Sequence, residues 1–77
     1  MLNEEYYRRR ANGLLAEFRG CMERRCPHAA RARLRALMEL DREYREIYGL
    51  PVAERELEEM EAEIAAATAR RGNGKGR

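Results

Sequence analysis

Apolar residues recur along this chain at helical spacing in three stretches, each bounded by stop signals. In the first, Tyr7, Ala11, Leu14, Phe18 and Cys21 follow a 4-3-4-3 rhythm that gathers them on one face, with Leu15 and Met22 widening it. Asn3 stands where a helix N-cap belongs, and Glu4 and Glu5 occupy the first turn, where the helix dipole favours negative charge. Arg24 and Arg25 complement the opposite end. Pro27 closes the run, because the residue before a proline is pushed out of the α region. The same proline suits the first position of a second helix and leaves Cys26 as the hinge. Apolar positions there are Ala30, Leu34, Leu37, Tyr44 and Tyr48, with Leu40 and Ile47 on one flank and Met38 on the other. Gly49 is placed to be its C′ residue, and Leu50 to make the hydrophobic contact that accompanies such caps. Pro51 opens the third stretch, in which Leu57, Met60, Ile64 and Ala67 repeat at 3-4-3 before Arg70, Arg71 and Gly72.

The pattern predicts helices over about 4–25, 27–48 and 51–71, forming one helical domain over residues 1–71. The remaining GNGKGR, residues 72–77, carries three glycines in six positions and is expected to be disordered. Short turns force antiparallel neighbours, so the expected fold is all-α, an up-down-up three-helix bundle with the second helix at its centre. The rival is a kinked helical hairpin, with the first two helices in one rod bent at proline, that dimerises to bury its stripe.

Composition narrows the picture. Charged residues make up 39% of the 77 positions and hydrophobic ones 44%, the balance of long helices. The β-branched residues Ile47, Val52, Ile64 and Thr68 are too few for a sheet core. A chain this short buries only about 60% of its unfolded surface, so its stability is marginal without a metal, a disulfide or a partner. No segment approaches the roughly 20 apolar residues of a membrane span, and MLNEEYYRRR has no apolar leader region. The expected compartment is the cytoplasm, where cysteines stay reduced.

Sixteen basic and fourteen acidic residues leave +2, too even a balance for a dedicated nucleic-acid binder. The third stretch is the acidic one. Arg31, Arg35, Arg42 and Arg45 flank the second helix's stripe, and a hairpin turning at Gly49–Leu50 would set Arg45 near Glu54 and Arg42 near Glu58. The expectation is therefore an ion-pair ladder between the second and third helices. The alternative use of the arginines is a nucleic-acid surface made of Arg8, Arg9, Arg10, Arg24, Arg25 and Arg31. No helix-turn-helix, zinc-finger or RNP-like signature supports it.

Candidate chemistry is thin. Cys21, Cys26 and His28 form C-x4-C-x-H, three soft-metal ligands without a second pair. Cys21 lies on the core stripe and Cys26 at the hinge, so the expectation is a helix corner with no metal and no cofactor. The chain has no serine, no nucleophile set against its lone histidine and no phosphate-cradling loop, so no catalytic residue is assigned. A bundle this thin is also expected to lack a pocket of several hundred Å³.

Gly13 and Gly20, inside the first helix, each cost about 1 kcal/mol relative to alanine. They share a face with Tyr6, Arg10, Glu17 and Arg24, where missing side chains let another backbone approach, either a neighbouring helix or an external partner. The expected function is non-enzymatic protein–protein binding through that face, as an adaptor, inhibitor or subunit, such as a phage or mobile-element accessory protein. A homodimer is compatible with this reading, and a membrane partner is not expected.

Overall fold

The computed structural model describes residues 3–75, with side chains described over residues 3–70. Three helices follow one another: α1 (Glu4–Glu23), α2 (Pro27–Tyr48) and α3 (Glu54–Lys75). They form the expected up-down-up bundle. The central α2 packs along α1 and, less extensively, along α3, whereas α1 and α3 barely meet. Because α1 and α2 pack antiparallel on each other, the kinked-rod rival is excluded.

Asn3 caps α1 as predicted, its side chain accepting the Tyr6 N–H at 3.0 Å. The helix ends at Glu23 rather than at residue 25. Its last turn closes by two crossed hydrogen bonds, Cys26 N–H to the Cys21 carbonyl at 2.9 Å and Arg25 N–H to the Met22 carbonyl at 3.0 Å. That Schellman pattern requires a left-handed C′ residue, and here it is Arg25, at φ +59°. Cys26 follows as N-cap of α2 with Pro27 at the first position. A three-residue corner thus reverses the chain, at the cost of holding an arginine where glycine is at ease.

The core gathers the predicted stripes. Tyr7, Ala11, Leu14, Phe18 and Cys21 of α1 meet Ala30, Leu37, Leu40 and Tyr44 of α2, with Ala53, Met60 and Ile64 from the third segment. Leu34 and Leu57 are half-buried, while Ile47, Met38 and Tyr48 remain largely exposed. At one end of the bundle the four tyrosines cluster. Tyr7 meets Tyr44 edge-on at 5.5 Å, Tyr44 lies 4.6 Å from Tyr48, and Tyr6 sets its ring against Tyr7 at 5.2 Å. The Tyr44 hydroxyl donates to Glu4 at 2.8 Å, tying the start of α1 to the end of α2.

The α2–α3 connection departs from expectation. Gly49 ends α2 in the left-handed region at φ +75°, but Leu50 is 58% exposed and makes no capping contact. After the glycine the chain folds back over the last two turns of α2. Asp41, 4% exposed, then accepts the N–H groups of Val52 at 2.7 Å and Ala53 at 3.0 Å through the same oxygen. Its other oxygen takes the Arg45 Nε at 2.9 Å. With those two amides committed to Asp41, α3 starts at Glu54 instead of residue 51. Asp41 faces Ala53, where the simple hairpin register would set it against Glu59, a displacement of about 9 Å.

The ion-pair ladder fails for this reason. Arg45 pairs within its own helix with Asp41, and Glu54 attracts it only from a distance. Arg42 and Glu58 do not pair. At its far end α3 runs on to Lys75, past the expected stop at Arg71 and through part of the tail expected to be disordered. Glycine weakens those turns by about 1 kcal/mol each but does not forbid them. Residues 76 and 77 lie outside the described residues.

Burial by itself would push the Asp41 carboxyl up. The hydrogen bonds from Arg45, Val52 and Ala53, with the Arg45 charge, outweigh it and hold the group below its ordinary 3.8. A carboxyl depressed in the folded state contributes stability that is present above 3.8 and lost as pH falls through the folded value. Thermal melts should therefore be level from neutral pH to about 5 and fall below about 4. Asp41→Asn should flatten that acid limb. Asp41→Ala should cost about 2–4 kcal/mol, because two amides lose their acceptor in a buried site. At the corner, Arg25→Gly should raise stability by about 0.5–1 kcal/mol in the same melts, by removing the left-handed strain.

Candidate protein-binding face

Helical spacing puts Tyr6, Arg10, Gly13, Glu17, Gly20 and Arg24 within one arc of α1, on the side away from Leu15 and Met22. Leu15 and Met22 pack against the core, and Met22 lines a cleft with Ala67 and Arg70 of α3. The arc with the glycines therefore borders α2 and not α3. Tyr6 is 41% exposed, and Arg10, Glu17 and Arg24 are exposed.

The two glycines differ. A methyl group added at Gly13 would meet nothing within 4 Å, so no helix of the bundle occupies the space. At Gly20 the added carbon would lie 3.3 Å from a terminal nitrogen of Arg24, which folds back over the glycine and also approaches the Cys21 sulfur at 3.8 Å. The neighbouring-helix explanation of the notch thus fails at Gly13, and at Gly20 the covering group is one flexible side chain.

One residue of the face is engaged internally. Glu17 pairs with Arg33 of α2 at 2.7 Å, the ion pair that joins α1 to α2 among the described residues. Arg33 is not among the residues that spacing singles out, although its place beside the apolar stripe of α2 is visible in the sequence. Half-exposed on both sides, the pair adds specificity more than stability.

The nucleic-acid candidates fall into two groups. Arg8 and Arg9 pair with Glu4 and Glu5 one turn back, at 3.7 and 2.9 Å, and with Arg10 sit on the first half of α1. Arg24, Arg25 and Arg31 sit at the opposite end, Arg24 about 21 Å along the helix from Arg10. The fold does not bring the six together. It does add a partner that helix-by-helix reading missed, because Arg25 and Arg70 line one open cleft of about 530 Å³ with Met22, Cys26, Pro27 and Ala67.

A second open groove, about 480 Å³, runs between α2 and α3 past Arg31, Leu34, Arg35, Met38, Glu61, Ile64 and Ala65. Grooves of several hundred Å³ therefore exist, contrary to expectation, along both sides of α3. Both are clefts between helix sides rather than enclosed cavities.

Folding also sorts charge along the long axis, which measures 53 Å. The corner end, residues 17–35 and 61–70, carries seven arginines against four glutamates. The tyrosine end, residues 3–16 and 36–60, carries six arginines against ten acids. Tallying each helix separately hides this polarity, since each helix contributes to both ends.

The cysteine–histidine corner does not converge. Cys21 is buried at 1% exposure as a core side chain, while Cys26 and His28 are exposed. The Cys26 thiol points back to the Arg24 carbonyl at 3.6 Å.

No protein family, curated protein or solved structure matches the chain. No helix among the described residues is long and apolar enough to cross a membrane.

With no side chain or backbone in the way, Gly13→Ala should raise stability by about 1 kcal/mol, the propensity difference. Gly20→Ala should gain less, since the Arg24 guanidinium must shift by a few tenths of an ångström. Denaturant titration of the two single variants measures both.

Proposed function

We propose that this protein is a non-enzymatic binding module that takes another protein chain against the α1 face of Tyr6, Arg10, Gly13, Glu17, Gly20 and Arg24. The observation that carries the reading is the empty space at Gly13. A helix interior that gives up about 1 kcal/mol at Gly13, with nothing of its own fold within 4 Å of the missing side chain, is accounted for by an external occupant. Tyr6 supplies an aromatic anchor, and the flanking charges supply a polar rim. Adaptor, inhibitor and subunit all use such a face, and the phage or mobile-element setting rests on composition alone.

A second reading is nucleic-acid binding at the corner end, through Arg24, Arg25, Arg31 and Arg70. The observation favouring it is the excess of arginine there, together with the unformed ladder that leaves Arg31 and Arg35 outside any ion pair among the described residues. It would show as binding that weakens steeply with salt.

Gly13→Trp separates the two. Nothing lies within 4 Å of a Cβ at this position, so the variant should fold and melt close to wild type. Affinity capture from native-host lysate, with and without nuclease, should recover a protein with wild type and lose it with Gly13→Trp, independently of nuclease. Capture that survives the tryptophan but vanishes with nuclease would transfer the function to the corner end.

A further inference from the structure

Resting on the side-face reading above, we infer that the chain occupying this face is a second copy of the protein, packed antiparallel about a two-fold axis through Gly13. The order of residues along the face is self-complementary about that glycine. Seven positions before it stands Tyr6, an exposed ring, and seven positions after it stands Gly20, a site without a side chain. Three positions before it stands Arg10, and four after it Glu17. A two-fold axis through Gly13 pairs position 6 with position 20 of the partner and brings position 10 within one residue of position 17, a gap the two long side chains span, so one arrangement satisfies both halves at once.

Crossing two such helices at Gly13 sets Arg10 of each against Glu17 of the other and Tyr6 of each over Gly20 of the other. The missing side chains at the axis allow the helices to approach closely. Arg24, lying over Gly20 with its guanidinium, offers the incoming tyrosine ring a cationic floor. Arg10 forms no ion pair within its own chain among the described residues. Glu17 meets Arg33 through Oε1, and its side chain stays half-exposed, open to a second cation from the other copy.

An independent feature agrees. The molecule has an arginine-rich corner end and an acidic tyrosine end, the acid excess lying on α2 and α3, and antiparallel pairing lays each end of one copy beside the opposite end of the other. Parallel pairing would stack like on like. One helix face is a small interface, at the weak end of the size range, so the dissociation constant should be on the order of 10–100 μM. Its exposed charge pairs should make it weaken as salt is raised.

Sedimentation velocity from about 5 μM to about 1 mM, at low and moderate salt, tests the inference on the full chain. Wild type should pass from monomer to dimer across about that range. Arg10→Glu and Glu17→Arg should each weaken self-association at least tenfold, since each homodimer sets like charges together. An equimolar mixture of the two variants should recover wild-type association, because in the mixed pair each substituted position faces the opposite charge on the other variant. Circular dichroism checks that each variant folds. Should Glu17→Arg fail beside Arg33, Gly13→Trp tests the same axis, putting two large rings against each other and holding the chain monomeric. A wild type that stays monomeric at the highest concentration overturns the inference, as does a mixture that associates no better than its components. If wild type stays monomeric while Gly13→Trp abolishes capture of a host protein, the second copy is wrong and the side-face reading stands. A dimer indifferent to both Gly13→Trp and Arg10→Glu overturns the inference too, by placing the contact elsewhere.

Discussion

The start and register of α3 depend on one buried carboxylate. Asp41 is the buried charged residue among the described positions, and it is matched by a guanidinium and two backbone amides. Desolvating a carboxylate is expensive, and such a group is tolerated only when its oxygens are satisfied. The apolar side of the α2–α3 contact is modest, chiefly Ala53, Met60 and Ile64 with Leu57 half-buried. A contact built from so few side chains could slide by a turn with little loss of burial. The amides of Val52 and Ala53 both donate to one buried acceptor, Asp41 Oδ1, and that makes the register single-valued. From it follow the exposure of Leu50, the failure of Arg42 to meet Glu58, and the advance of α3 past the α1–α2 corner, where Arg70 joins Arg25.

The α1–α2 pair is held differently, by volume. Phe18, Leu14, Leu37, Tyr7 and Tyr44 fill the space between the helices, and the edge-on Tyr7–Tyr44 rings add directionality to plain burial. Two local defects are carried within that packing. Arg25 is held left-handed at the corner. The Tyr7 hydroxyl is buried with no hydrogen-bond partner, and burial first, then the nearby Glu43 carboxylate, push its pKa up. The large interface tolerates both.

Much of this was legible in the sequence. The α1 stripe, Ala30, Leu37 and Tyr44 of α2, and Met60 and Ile64 of α3 are all in the core at the positions their spacing indicates. Asn3, Pro27 and Gly49 act at the helix ends as their chemistry dictates. Asp41 was missed, yet a signal existed: it stands four residues after Leu37 and three before Tyr44, an apolar position holding a charge. What no spacing rule contains is the path of the loop after Gly49. The ladder assumed the tightest reversal, and a five-residue connection that doubles back displaced every α2–α3 pairing. The charge polarity was hidden for a related reason, since it exists only after antiparallel folding superposes the halves of all three helices. In the candidate face the members of the arc were readable from α1 alone, whereas the emptiness at Gly13 needed α2 and α3 in place.

The costs carried by the chain separate according to whether the fold repays them. Left-handed Arg25 gives the corner that lets α2 lie back on α1, and the desolvation of Asp41 fixes where α3 begins. Glycine at position 13 has no such return. It adds no turn, sits at no positive φ and meets no neighbouring helix. In a domain whose size leaves only a narrow margin of stability, an unrepaid cost of about 1 kcal/mol is a substantial fraction of the whole. Tyr6 exposes its ring on the same arc while bracing its other side on Tyr7, so on the proposed reading the anchor is held in place before a partner arrives. An ordered ring, a vacancy and opposite charges on one rigid helix would give the proposed partner a preorganised surface, on which less entropy is lost on binding. On the proposed reading the functional weight falls on α1, whose adjacent face packs Tyr7, Leu14 and Phe18 into the core and keeps the exposed arc rigid.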